Sequence, residues 1–281
     1  DMSSSIFDVW NCSEEDVTPV WVNVEEEVEV DFEDGAGDVC SIVEDVWVSP
    51  DGDDDLNTGT SPENAFLTIK TALELIAPDS TNIITINLTE GTFAPSTTGE
   101  TFSIIMISNV NLIGQGEDVT ILDAEQVDRV LLISGCENNI IEGLTIINGA
   151  AQGGFALYDE ASGNGGGLLS INSNLSLINI SVIGNSAVEY GGGLCLVSSN
   201  VAINNVLIIS NISETGGGAK IYNSNNINLS YVQVTANYAL QGAGLDLDNC
   251  NNPFLDNIII NENISDYSGA GMYLYNSNPI M

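Results

Sequence analysis

The chain has 281 residues, 43% of them hydrophobic, enough to bury a sizeable core. It carries 40 acidic residues against three basic ones and no histidine, a net charge of −37. That balance excludes nucleic acid and anionic lipid as partners, since both need Lys and Arg to replace counterions, and no apolar run is long enough to span a membrane.

The acids are unevenly placed, with 19 of the 40 in the first 60 residues. Residues 1–45 read as an acidic β segment or linker. Within it Thr18–Phe32 alternates valine with glutamate, as a strand with one wet face does. Cys12 and Cys40 bracket this segment and are candidates for a disulfide in an oxidising compartment. Cys136, Cys195 and Cys250 are spread through the rest and are expected to pack as small apolar residues. No basic region followed by an apolar stretch opens the chain, which implies a removed leader or a fragment.

Next comes DGDDDLN. Asp51, Asp53, Asp55 and Asn57 alternate like the oxygen ligands of a calcium loop, although Leu56 stands where such loops carry glycine. Calcium and a hydrated turn are both open readings. Over residues 62–77, Phe66, Ile69, Leu73 and Ile76 form one helical stripe, with Ser61 as candidate N-cap and Pro78 as the stop. This helix is expected to cover the open end of a solenoid.

Ser108–Ala124 and Cys136–Asn148 read as two coils of a repeat, followed by an inserted corner loop over Gly149–Asn164. From about residue 165 the repeat is regular. Glycine runs begin at Gly165, Gly191, Gly216, Gly242 and Gly269. Two asparagine columns step by 26: Asn174, Asn200, Asn226, Asn252 and Asn278, then Asn185, Asn211, Asn237 and Asn263. Apolar columns run in phase, Ile180, Val206, Val232 and Ile258 beside Val182, Ile208, Val234 and Ile260. Within each unit the apolar period is two, so the units are strands, too short to bury one face alone. Stacked at the inter-strand spacing of about 4.8 Å, apolar columns fill a lumen and asparagine columns become amide ladders. The expected fold is all-β, a right-handed parallel β-helix over residues 46–281.

Val46–Leu73, with INLTEGTF and NLIGQGEDVTILDA after it, resembles the opening of secreted bacterial β-helix proteins of the pectate-lyase-like superfamily. The Gly/Asn units resemble repeats of polymorphic outer-membrane and related surface proteins. The resemblance implies fold and a secreted or cell-surface location, whereas the superfamily holds lyases, hydrolases, esterases and adhesins alike. Its lyases use an Arg or Lys base beside calcium-binding acids, and here only Lys70, Arg129 and Lys220 exist. Its polygalacturonases carry Gly-His-Gly, which a chain without histidine cannot supply, and the esterase motif of paired aspartates with an Arg is missing.

One constellation remains. In LDLDN, Leu245 and Leu247 should face inward, sending Asp246 and Asp248 outward about 7 Å apart, with Lys220 and Tyr222 one coil before and Tyr273 and Tyr275 one coil after. Two carboxylates at that separation suit glycoside hydrolysis by inversion, and the tyrosines suit glycan binding without turnover. A solvated face is the third reading, because short corners should leave both aspartates open to water. The expectation that follows is an extracellular structural or adhesive scaffold without catalytic activity. Its partners would be extracellular polysaccharide, and further copies of itself or a continuing chain at the C-terminal end, where the last coil has no cap and end-to-end contact would build a filament. A carbohydrate-active enzyme or a glycan-binding module is the alternative.

Overall fold

The computed structural model describes residues 41–153 and 163–281, together with the strands Phe7–Val9 and Val20–Val22, which pair antiparallel. Cys12, Cys40, the rest of Thr18–Phe32 and residues 154–162 of the inserted loop lie outside the described residues.

From Val46 onward the chain winds as a parallel β-solenoid. Three sheets run along it: a broad one of 11 strands, a second of seven, and a corner sheet of five. The broad sheet opens with Val46–Val48 and Ile84–Leu88 and carries the long strands Asn139–Ile147, Asn174–Ile183, Asn200–Ile209 and Ile227–Thr235. The seven-stranded sheet runs through Leu168–Ile171, Leu194–Val197, Ala219–Tyr222, Leu245–Asp248 and Met272–Tyr275. Register follows the expected columns: Ile180 pairs with Val206 and Val206 with Val232, while Val182, Ile208, Val234 and Ile260 continue in line. Ile180, Val206, Val232, Val182, Ile208 and Val234 are buried, forming the lumen with Leu194, Leu196, Ile221, Leu245 and Leu247. Cys136, Cys195 and Cys250 are buried and free, and burial pushes all three thiols up, that of Cys195 to about 12.

The Asn185 column is the polar counterpart of that core. Asn185 and Asn211 are fully buried, Asn237 nearly so, and Asn263 half-buried. Asn185 donates its backbone N–H and its amide to Asn211 Oδ1 at 2.9 and 3.1 Å, and Asn211 and Asn237 repeat the pattern on the coils that follow. The outer column behaves differently. Asn200 and Asn226 donate back to Asn174 and Asn200 at 2.6 and 3.0 Å, but Asn252 and Asn278 do not join. Asn252 has a φ of 50°, which turns its side chain off the column, and Asn251 bonds Asn225 instead. The expected five-membered ladder is therefore three long.

The helical stripe is split. Pro62–Asn64 is a 3-10 turn and the α-helix is Ile69–Leu75, whose cap is Thr68, accepting from Thr71 N, in place of Ser61. Phe66 breaks the run because it is extended, its N–H donating to Trp47 O and its carbonyl accepting from Ser49 N. Its ring and Ile69 still enter the core, with Leu73 packed against it.

Candidate functional site

The sheet register places the predicted residues as two adjacent columns. One is Cys195, Lys220, Asp246 and Tyr273; the other is Val197, Tyr222, Asp248 and Tyr275. Both face away from the lumen, as period two requires. Their exposures differ sharply, and that overturns the expected open face. Asp246 is wholly buried, Lys220 is 8% exposed, and Tyr222 and Tyr275 are 41% and 53% exposed. The cause is the glycine corner. Gly242 has a φ of +62° and folds back so tightly that a Cβ there would lie 2.7 Å from Asp246 Cβ.

Beneath that corner Lys220 Nζ donates to Asp246 Oδ1 at 2.8 Å and to Asp248 Oδ2 at 3.2 Å. Asp248, its side chain 23% exposed, receives the Asn249 amide on its other oxygen. Asp246 Oδ2 lies beside the Gln241 side chain without a hydrogen bond of ordinary geometry. The ring of Tyr190 stands 6.0 Å from the ammonium. Burial pushes the Asp246 carboxyl above its usual range, further than Lys220 pulls it down. Burial also presses the Lys220 pKa down, but the two aspartates outweigh it and the net direction is up. The ammonium therefore stays charged near neutrality.

These facts divide the expected site. Asp246 cannot touch a substrate, so paired hydrolysis by Asp246 and Asp248 is not available in this arrangement; Asp246 positions Lys220. What reaches solvent is a line of three side chains on successive coils: Tyr222, Asp248 and Tyr275. Tyr273, half-buried, follows Asp246 in the inner column.

The acidic loop is built for closure. Asp53 Oδ1 accepts from the N–H groups of Asp55 and Leu56 at 2.9 and 3.0 Å, and the Asn57 amide donates to Ala65 O at 2.8 Å. Among the described residues no three His, Cys, Asp or Glu side chains converge to hold a metal ion. Two acids absent from the sequence reading have specific roles beside this loop. Asp54 accepts from Leu67 N, Thr68 N and Thr68 Oγ1 at 2.8, 3.1 and 2.8 Å. Glu100, 2% exposed, accepts from Ile69 N, Lys70 N and Thr101 N. Burial raises the Glu100 pKa against those three donors.

No protein-family model matches the chain, and no curated protein matches it in sequence. Solved structures resemble it at low identity. A pectin methylesterase in complex with a hexasaccharide aligns with a TM-score of 0.43 and 13% identity over 76% of this chain and 65% of that one. A rhamnogalacturonan lyase aligns with a TM-score of 0.38 and 14% identity, covering 84% of this chain and 60% of that one. A pectin methylesterase from Erwinia chrysanthemi gives a TM-score of 0.36, 10% identity and coverage of 76% and 79%. The chain thus spans about two thirds of the first two structures. The expectation of a scaffold without catalytic activity is corrected here. The physical case for inactivity required both aspartates to stand open in water, and Asp246 does not.

Proposed function

We propose that the chain is a carbohydrate-active β-helix protein, secreted or held at a cell surface, that engages an extracellular polysaccharide along the Tyr222–Asp248–Tyr275 line. The observation that carries this reading is the alignment of two exposed tyrosines on either side of one partly exposed carboxylate. Successive coils lie about 4.8 Å apart, so the rings stand about 10 Å apart along the axis. Aromatic faces bury the apolar side of a sugar ring at low entropic cost, and a carboxylate accepts from its hydroxyls. Lys220, its side chain 10% exposed, fixes Asp248 without competing for the ligand.

The test is retention of the protein on a panel of immobilised polysaccharides, with release of reducing ends, methanol and unsaturated ends followed in parallel. Tyr222→Ala and Tyr275→Ala are each expected to weaken retention about ten-fold or more, the scale of one lost stacking contact of about 1.4 kcal/mol. Neither retention nor turnover on any polysaccharide would overturn the reading. Turnover that survives in both tyrosine variants would place the site elsewhere on the solenoid.

A further inference from the structure

A second place on the molecule breaks its own repeat. Where the long strands of the broad sheet bend, one residue per coil takes a left-handed backbone: Asn179, Asn205, Tyr231 and Asn257, with φ of 52°, 53°, 56° and 53°. Asparagine tolerates this region, and here it also gains by stacking: Asn205 donates its amide to Asn179 Oδ1 at 2.9 Å. Tyr231 has neither advantage. Its bulky side chain makes the left-handed conformation strained, and it severs the ladder, so that Asn257 turns to donate to Asp256 Oδ2. In exchange the chain gains an aromatic ring 59% exposed to solvent.

That ring borders a hollow of about 620 Å³, within the range that holds small ligands. Its floor is one outward column, Leu207, Gln233 and Ile259, and Asn257 flanks it. Glu117 reaches into it from the loop between the strands Val110–Ile113 and Thr120–Asp123, held there because Ser181 Oγ donates to Glu117 Oε2 at 2.8 Å and Thr145 Oγ1 to Glu117 O at 2.6 Å. The hollow thus offers an aromatic face and the apolar side chains of Leu207 and Ile259 beside three amides, Asn205, Gln233 and Asn257, and a carboxylate.

We propose that Tyr231 and this hollow bind a hexose unit of a neutral polysaccharide. The ring supplies a stacking face, Gln233 and Asn257 offer donors and acceptors to hydroxyls, and Glu117 accepts from them. Neutrality follows from charge: the hollow has no basic side chain, Glu117 projects into it, and the whole chain carries −37, all of which repels uronate polymers. The site lies on a different sheet from Tyr222 and Tyr275 and does not depend on them.

The informative variant is Tyr231→Asn, which restores the repeat instead of opening a hole. It is expected to raise the melting temperature while weakening retention on neutral glucan, mannan or galactan about ten-fold or more; Tyr231→Phe should keep most of the retention. Polygalacturonate serves as the anionic control and should not be retained through this site. Unchanged retention in Tyr231→Asn, or polygalacturonate binding that this variant abolishes, would overturn the proposal. A lowered melting temperature would remove the strain argument and the proposal with it. Loss of retention in Tyr222→Ala with none in Tyr231→Asn would overturn this inference alone and leave the first site standing.

Discussion

Asn211 donates both its backbone N–H and its side-chain amide to one atom, Asn237 Oδ1, at 2.9 and 3.0 Å, while its own Oδ1 receives the same two groups from Asn185. A single buried carboxamide therefore accepts from the coil before it and donates to the coil after it. Asn211→Leu would leave the Asn185 backbone N–H and one of its two amide N–H groups without an acceptor in a dry corner, while the other keeps Ile146 O. The expected cost is about 1–3 kcal/mol per orphaned group, read as a lower midpoint in denaturant unfolding. A cost below about 0.5 kcal/mol would show that water enters the corner.

Lys220 and Asp246 form the buried charge pair of the seven-stranded sheet, and removing one partner strands the other. Lys220→Met is expected to destabilise by about 3–5 kcal/mol, and the double variant Lys220→Met/Asp246→Leu to recover most of that loss. A double-mutant cycle on unfolding free energies checks both. Equal losses in the single and double variants would mean that volume, and not the unpaired charge, sets the cost.

Glu100 and Asp246 share a pH signature. Burial raises both pKa values in the folded chain above those of the unfolded chain, so the folded state binds protons more readily. Their contribution to stability is fully present below the unfolded carboxyl range near pH 4 and fades as pH rises through the folded values. Relief of repulsion among 40 acidic residues acts in the same direction. The melting temperature is expected to rise as pH falls from about 8 to 5, and Glu100→Gln to flatten part of that rise. A pH-independent melting temperature would refute the raised Glu100 pKa.

Asp54 bridges the acidic loop to the helix cap through Leu67 N, Thr68 N and Thr68 Oγ1. Asp54→Ala is expected to cost about 1–2 kcal/mol, as lost N-caps do, and to speed amide exchange at Leu67 and Thr68. Asp51→Ala, whose side chain caps nothing, is the control.

Much of this was readable from the chain alone, for a physical reason. In a solenoid each residue stacks on its equivalent one coil away, so long-range contacts reappear in the sequence as a 26-residue step. Asn185, Asn211, Asn237 and Asn263 are therefore legible in the sequence as a ladder, and Ile180, Val206 and Val232 as a core. Contacts without a periodic mate left no such trace. Asp54 meets Leu67 N across 13 residues and Glu100 meets Ile69 N across 31, with no equivalent on another coil, and nothing in DGDDDLN separates Asp54, which closes the structure, from Asp51, which does not.

Period two also told which side of the strand Asp246 occupies, but not what lies over that side. Outward normally means wet. Here the Gly242 corner folds onto it, and the same alternation that sends Asp246 and Asp248 to one face leaves the first at 0% and the second at 23% side-chain exposure. The order of residues determined the register, the coil length and the lumen, because those repeat. Where a corner folds back and which carboxylate it dries were decided by packing in three dimensions, since burial belongs to the neighbours that gather around a residue and not to its place in the pattern.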